Sequence, residues 1–315
     1  MSFLSTAVQS VLEQGQFCHV ATSAPSGPHC TPLVFAYSGG RLWLTTSRRS
    51  VKTRSWKADP SAAGVVRHGE LAVSFTGQAK LYDALDRTTW GDAVAGATSI
   101  ARATAAFSKK NARFFAGYAL DAKQVPFAWT PPGRVFVGIE LERTALVDED
   151  GVQEGKGRWG GASTSHEVFR RSTKADHPLV GLPPEVRRPL GDGGDGVLTL
   201  VGERGPVVVP ARWRVDGPSL YAALPEETLA IAAAGPDAPA ALTVDEAAAW
   251  RARDMVGTMV QGTASIYVLD ALGNGVKTAR ALAKEIDADA DTLIRLAPSR
   301  LVWWRGWSSG SADVA

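Results

Sequence analysis

The sequence predicts a β-rich α+β chain built from two related modules. Short β-prone runs alternate with turn sequences in both halves of the 315 residues, a segment of helical period interrupts the first half, and matched segments recur in the second half. We therefore expect a first module at residues 1–147, a Gly- and Pro-rich linker at 148–195, and a second module at 196–315.

The first half indicates a short helix followed by an antiparallel meander. Residues 1–17 have neither a basic start nor a continuous apolar core, so they predict an amphipathic helix rather than a signal peptide. The next β-prone runs are separated by turn sequences at residues 25–28 and 38–40. A polar stretch compatible with a helix then ends at Asp59-Pro60, and two more strands precede Asp83. The predicted order is β-β-β-α-β-β.

Residues 83–120 change from the period of a strand to that of a helix. Apolar side chains at helical spacing are expected to face a core, and these are Ile100, Ala103, Phe107, Phe114 and Phe115. The following residues 134–149 alternate between apolar and polar, which is typical of a half-buried edge strand. The sequence thus predicts a helical insertion before the last strand of the first module.

Two pairs of segments indicate an internal repeat. Residues 31–42 align without gaps on residues 209–220, with a proline and a glycine turn in corresponding places. Residues 77–85 match residues 262–272 through the pattern Gly-x-Ala-x-Leu/Ile-Tyr. Since both matches occur in the same order, we predict two copies of one β-rich module.

The composition excludes several classes of function. Of the residues, 45% are hydrophobic and 21% charged, and the net charge of +2 is too small for a polycationic nucleic-acid surface. No run approaches the roughly 18 apolar residues of a membrane helix. Two cysteines are too few for a disulfide scaffold. We expect a cytoplasmic protein that acts on a small molecule, without nucleic acid or membrane as a partner.

One strand end of the first copy is basic and rich in hydroxyl groups, and we call residues 45–57 the basic turn. It contains the hydroxyl residues Thr45, Thr46 and Ser47 and the cations Arg48, Arg49, Lys52, Arg54 and Lys57. Small donors, the N–H groups of a helix start and charge-assisted hydrogen bonds together favour a phosphate. A solvated helix face is the alternative. The counterpart at residues 220–239 has no Lys or Arg and gains Glu226 and Glu227, so it cannot bind an anion by the same means.

These segments resemble the pyridoxamine 5'-phosphate oxidase-like, or flavin/deazaflavin oxidoreductase, superfamily, whose fold is the FMN-binding split β-barrel. The resemblance is carried by residues 31–60 and 71–83: an apolar strand ending in Thr, a Ser/Arg-rich turn, a Lys, and a helix that closes on Asp-Pro. It implies a cofactor site in which the phosphate and ribityl chain contact the basic turn, while a side chain of a later strand lies near the ring. The residues so implied are Thr46, Ser47, Arg48, Ser50, Lys52 and Gln78, to which Thr45 and Arg54 of the same turn are added.

The resemblance also implies an assembly and a chemistry. Barrels of this superfamily usually dimerise with the cofactor in the groove between subunits, so a tandem chain would form an intramolecular pseudo-dimer of two split β-barrel modules, as a monomer or within a further homodimer. The activity implied is that of an oxidoreductase using FMN or the deazaflavin F420 on an unknown small molecule. The ring carries such chemistry, so no catalytic acid or base needs to appear in the sequence. A non-catalytic or haem-binding relative is the alternative.

The cysteines and histidines do not predict a metal site. Cys18-His19 and His29-Cys30 look like a quartet, but on a hairpin turning near residues 24–28 the cysteines are offset by about four residues, or roughly 13 Å. The spacing also fits no zinc pattern. Haem would need an axial ligand such as His68, His166 or His177.

The chain contains ten tryptophans. Trp129, Trp159 and Trp213 are expected to be buried in the structure, with lining of a groove as the alternative.

Overall fold

The computed structural model describes residues 4–172, 177–246 and 251–314. The elements of the first module are α1 (Thr6–Gln14), β1 (Phe17–Ala24), β2 (Gly27–Ser38), β3 (Arg41–Ser47), α2 (Val51–Ala58), β4 (Ser61–His68), β5 (Leu71–Tyr82), α3 (Trp90–Ala95), α4 (Ala97–Lys110), α5 (Ala112–Leu120), β6 (Arg134–Asp148) and β7 (Gly151–Lys156). Those that follow are α6 (Pro184–Leu190), β8 (Gly193–Gly202), β9 (Gly205–Asp216), β10 (Ser219–Leu224), α7 (Glu226–Ala230), β11 (Ala238–Glu246), β12 (Val256–Val268), α8 (Val276–Ile286), β13 (Thr292–Arg305) and β14 (Ser308–Asp313).

Each module is a closed barrel of antiparallel strands. The first sheet has the order β3-β2-β1-β4-β5-β6-β7, and an additional pairing of β3 with β6 closes six of its strands into a barrel. The second sheet, β10-β9-β8-β11-β12-β13-β14, closes in the same way through β10 and β13. The predicted fold class, a β-rich α+β chain of two split-barrel modules, is confirmed.

Strand β6 differs from its prediction. The alternating pattern indicated a half-buried edge strand, but β6 pairs with β3, β5 and β7 and carries buried side chains such as Val137 and Ile139. The edge prediction is wrong because barrel closure gives β6 strands on both sides. Local alternation records the two faces of a strand and contains no information about its lateral neighbours.

The two barrels share an irregularity that identifies the repeat. The β5–β6 ladder shifts register between Thr76 and Gly77, and the β12–β13 ladder shifts between Gln261 and Gly262. A Cβ atom on Gly77 would lie 2.0 Å from a backbone carbonyl oxygen of β6, and one on Gly262 would lie 2.0 Å from a carbonyl oxygen of β13. Both glycines are thus required by a close approach of two backbones at a bulge. The predicted repeat is confirmed.

The modules meet face to face through a buried cluster. Cys30 and Ala63 of the first barrel share it with Val208 and Ala241 of the second, and these are corresponding positions in the two copies. Thr243 Oγ1 donates to the carbonyl of Cys30 at 3.1 Å, next to this cluster. The predicted intramolecular pseudo-dimer is therefore the arrangement of this chain.

The segment predicted as a linker contains regular structure. Strand β7 adds to β6 in the first sheet, and α6 packs Val186 and Leu190 into the core of the second barrel. Both modules therefore extend into residues 148–195. Among the described residues, no helix combines the length and the apolarity needed to cross a bilayer.

Candidate functional site

The start of the basic turn is held together by its own hydroxyl groups. Ser50 caps α2 by accepting a hydrogen bond from the backbone N–H of Thr53 at 3.1 Å, and its Oγ lies 3.0 Å from Thr46 Oγ1. The Thr53 hydroxyl donates to the carbonyl of Ser47 at 2.8 Å. A serine before a helical run is the usual signal for this geometry. The structure therefore brings Thr46, Ser47 and Ser50 together at the helix start.

Lys52, one turn into α2, is buried. Its side chain is only 2% exposed, and Nζ donates to Thr31 Oγ1 at 2.6 Å. Burial lowers its pKa to about 8, while the Cys30 and Cys18 thiols act in the opposite direction. No carboxylate in the described ranges forms an ion pair with this ammonium group. A buried cation paired with only a hydroxyl is costly, which indicates a place for an anion.

His29 lies in the electrostatic field of both Lys52 and Arg300. Burial lowers the pKa of His29 to about 2, and the charges of Lys52 and Arg300 act in the same direction. Arg300 comes from the second module, and its buried Nε has no hydrogen-bond partner in the described part of the chain. Thr31, His29 and Arg300 were not predicted as cofactor-site residues. No local motif connects β2 or β13 with the basic turn. The site spans both modules.

Arg48 forms an ion pair with Asp83. Its Nε donates to Asp83 Oδ2 at 2.8 Å and its Nη2 to Oδ1 at 2.7 Å. The guanidinium lowers the pKa of Asp83, whose side chain is almost completely buried. Arg48 therefore fastens the basic turn to the end of β5. Arg54 lies exposed on α2.

Thr45 belongs to a different environment from Thr46, because successive residues of a strand point to opposite faces. Arg134 donates from Nε to Thr45 Oγ1 at 2.9 Å and from Nη2 to the Thr45 carbonyl at 2.5 Å. The guanidinium carbon also lies 5.5 Å from the centre of the Trp129 ring. Burial lowers the pKa of Arg134. Among the described residues, no carboxylate pairs with this guanidinium.

Gln78 lies in another row of the barrel. It pairs with Ser61 on one side and Glu140 on the other. The row of Thr45 instead continues through Phe136 to Tyr82, four positions farther along β5 or roughly 13 Å away. Gln78 is exposed. The structure does not bring it into the row of Thr45.

A large aromatic cavity lies between the first barrel and the inserted helices α3–α5. Its volume is about 660 Å³, and Pro32 of β2 and Thr45 of β3 line it, on the opposite face of these strands from Thr31 and Thr46. Trp129 and Arg134 also line it, and Met255 reaches it from the second module. The predicted core-facing residues Ile100, Phe107, Phe114 and Phe115 form part of its wall. Trp129 is half-buried and lines the cavity, which was the alternative to the predicted burial.

The cysteines are both buried and reduced. Cys30 pairs with Ala21, so the two cysteines are offset by three residues along the hairpin. The predicted offset of about four residues was wrong by one position, because the turn is tighter than assumed. No three metal-binding side chains converge within the described residues. None of the histidines described lines the aromatic cavity.

Comparison with known proteins matches part of the first module to a family model. Residues 4–128 match the model of the family described as pyridoxamine 5'-phosphate oxidase. Comparison with curated proteins gives no match.

Solved structures similar to this chain have the length of one module. They include an FAD-binding protein from Mesorhizobium loti (21% identity, 45% of this chain and 94% of that chain, TM-score 0.33). A pyridoxamine 5'-phosphate oxidase-related, FMN-binding protein from Nostoc punctiforme shares 16% identity over 49% of this chain and 88% of its own, with a TM-score of 0.35. An F420 reductase shares 20% identity over 45% of this chain and 98% of its own, with a TM-score of 0.30.

Proposed function

We propose, on the match of residues 4–128 to the pyridoxamine 5'-phosphate oxidase family model, that the chain is an oxidoreductase that uses FMN or F420 to act on a small molecule. The observation that carries the proposal is the buried ammonium group of Lys52, which has Thr31 as its partner and no carboxylate among the described residues. A phosphate would supply the missing negative charge. Arg300 adds positive charge near the site, whereas His29, with a pKa of about 2, is neutral there. The residues present therefore fit the phosphate end of such a cofactor.

The residues of the basic turn have different roles in this proposal. Lys52 binds the phosphate by charge, and Ser50 and Thr46 hold the helix start that faces it. Arg48 positions the turn through Asp83 and does not contact the phosphate. When bound, the ring of the cofactor supplies hydride or electron transfer.

The aromatic cavity supports a site for an apolar substrate. Its volume of about 660 Å³ lies within the range of small-molecule sites. Arg134 at its wall has no carboxylate partner among the described residues, so an anionic group on the substrate would find a donor there. The haem alternative has less support, because no described histidine lines the cavity to serve as an axial ligand.

The test is an absorbance titration of cofactor-free protein with FMN, F420 and haem. We expect saturable binding of FMN or F420, with an affinity that falls about tenfold or more in Lys52→Met, since a hydrogen bond to a charged group is lost. Lys123→Met, which removes an exposed lysine of the same module, is the matched control and should bind like the wild type. Equal affinities of the two variants would exclude Lys52 as the anchor. A Soret band without flavin or deazaflavin binding would overturn the proposed function.

A further inference from the structure

The matched ladders of the two barrels assign a counterpart to each strand residue. Arg143 pairs with Thr76 directly beyond the bulge of the first barrel, and Arg300 pairs with Gln261 directly beyond the bulge of the second. Arg143 and Arg300 are therefore equivalent. Since Arg300 acts on His29, which also lies in the field of Lys52, Arg143 marks the equivalent place in the second module.

A cavity of about 330 Å³ occupies that equivalent place. It is lined by Arg143 and by Val207, and Val207 is the counterpart of His29 because the two pair with equivalent residues of β8 and β1. By position in the helix, the counterpart of Lys52, the second residue of α2, is Glu227, the second residue of α7. A small apolar side chain, Val207, thus stands where the first module has His29.

Three arginines from outside the β10–α7 turn surround this cavity. Arg143 comes from β6 of the first barrel, Arg158 from the segment after β7, and Arg204 from the β8–β9 turn. One carboxylate, Glu203, also lines the space. The cations missing from the counterpart of the basic turn are therefore supplied from other parts of the chain.

The charges of these arginines are not balanced by ion pairs. Arg143 donates to Thr76 Oγ1 at 2.7 Å and lies 5.2 Å from the centre of the Trp159 ring, while Arg204 donates to the carbonyl of Arg158 at 3.0 Å. Burial lowers the pKa of Arg143, and the charge of Arg204 lowers it further, while the charge of Glu142 acts in the opposite direction. No carboxylate of the described residues lies within ion-pair distance of any of the three. An anion in the cavity would relieve this repulsion.

The backbone around the cavity is also unusual. Ala233 lines it with φ of 45°, a left-handed conformation that residues with a side chain seldom adopt. Gly160 packs against it so closely that an added Cβ atom would lie 2.1 Å from the Cβ of Ala233. The wall opposite the arginines is therefore fixed by backbone contact between the segment after β7 and the end of α7.

We propose that this cavity binds a phosphate group, as inorganic phosphate or as part of a small phosphomonoester. Planar guanidinium groups match the several oxygens of a phosphate, and three of them face a single carboxylate. The volume is at the low end of the range for ligand sites, which favours a small anion. The second module then retains anion binding with a different set of residues, independently of whether the first binds a cofactor.

The experiment is a calorimetric titration of the full chain carrying Lys52→Met, which removes the anchor of the first site. Inorganic phosphate and phenyl phosphate are the two probes, at constant ionic strength. We expect saturable binding of at least one probe, weakened about tenfold or more when Arg158→Gln and Arg204→Gln are added, since two charge-assisted hydrogen bonds are removed. Tighter binding of phenyl phosphate identifies a phosphomonoester as the ligand, and equal or tighter binding of inorganic phosphate identifies the free ion.

Arg188→Gln is the matched control, because Arg188 is an exposed arginine on α6 outside the cavity. It should leave the affinity unchanged in the same background. Arg158 and Arg204 are also exposed, so the thermal midpoints of all variants should agree within a few degrees. Absence of saturable binding of both probes, or affinities unchanged by Arg158→Gln and Arg204→Gln, would overturn the proposal.

Discussion

Lys52 and Arg48 show how two neighbouring cations of one turn acquire different tasks. Lys52 turns into the protein and meets a hydroxyl, whereas Arg48 meets the buried carboxylate of Asp83. The first is an unbalanced charge and is suited to a ligand. The second is a balanced ion pair and is suited to holding the turn.

The pKa of Lys52 predicts a gain of stability at alkaline pH. Its pKa is lowered from 10.5 to about 8 in the folded protein, so between these values the unfolded chain binds more protons and a rise in pH favours folding. The gain is about 3 kcal/mol in the cofactor-free protein. Urea denaturation at about pH 7.5 and about pH 10 should show a larger increase in the free energy of unfolding for the wild type than for Lys52→Met.

Lys110 provides the control for this measurement. Burial lowers its pKa to about 8 as well, so Lys52→Met should keep part of the increase and Lys110→Met should keep the part due to Lys52. An identical increase in the wild type and in Lys52→Met would contradict the assignment of an unbalanced buried charge to Lys52.

The ion pair of Arg48 predicts a loss of stability on substitution. Arg48→Gln leaves the carboxylate of Asp83 buried without its partner, and we expect the free energy of unfolding to fall by about 3 kcal/mol. Adding Asp83→Asn should restore part of this loss, because the unpaired charge is then removed. Urea denaturation at neutral pH measures both changes.

Arg41 offers a matched comparison for Arg48. Its partner Glu140 is largely exposed, so Arg41→Gln should cost less than about 1 kcal/mol. Similar losses for Arg41→Gln and Arg48→Gln would show that the burial of Asp83 does not matter energetically.

Among the elements, the two bulges determine how the longest strands of each barrel bend. The register shifts at Gly77 in β5 and at Gly262 in β12 occur at corresponding positions, and each glycine lies against the backbone of the next strand. Bulges increase the local twist of a strand, as closure of a barrel requires. The two glycines are therefore part of the fold rather than flexible points.

Substitution at this bulge should be severe. Gly77→Ala would place a Cβ atom 2.0 Å from the carbonyl oxygen of Glu140, so β5 and β6 would have to separate, and we expect a loss of about 3 kcal/mol or more. Thermal unfolding measures the effect. Gly91→Ala in α3 is the control, since its Cβ atom would meet nothing within 4 Å and alanine favours a helix. Equal unfolding temperatures for the two variants would refute the close approach at Gly77.

For the whole molecule, the face between the barrels is a third core. The cluster around Cys30 and Ala63 is completed by Val208 and Ala241, and His19 Nε2 lies 2.6 Å from Asp245 Oδ1 beside it. The Lys52 site and the arginine-lined cavity both contain residues of the two modules. Each site thus depends on the arrangement of the barrels.

Disruption of this face should destabilise both modules together. Ala241→Asp would bury an unpaired carboxylate in the cluster, and we expect one unfolding transition at a temperature lower by ten degrees or more. Differential scanning calorimetry measures it. Ala112→Asp, at the exposed start of α5, is the control and should unfold like the wild type. Two separate transitions in Ala241→Asp, with one at the wild-type temperature, would mean that the modules are stable without each other.

The sequence by itself determined the two β-rich copies, the inserted helices and the helix start at Ser50. These features depend on local signals: alternation, turn residues, a capping serine and glycines that recur in order. The cations of the basic turn could be found for the same reason, since they are adjacent in the chain.

Only the tertiary structure decided what those cations contact. Asp83 and Thr31 lie far from Arg48 and Lys52 in sequence, Arg300 comes from the other module, and Gln78 falls in another row of the barrel. The loss of cations from the second turn was evident in the sequence, but their replacement by Arg143, Arg158 and Arg204 was not. Barrel closure and the packing of the two modules bring distant residues together, and a local pattern contains no record of such contacts.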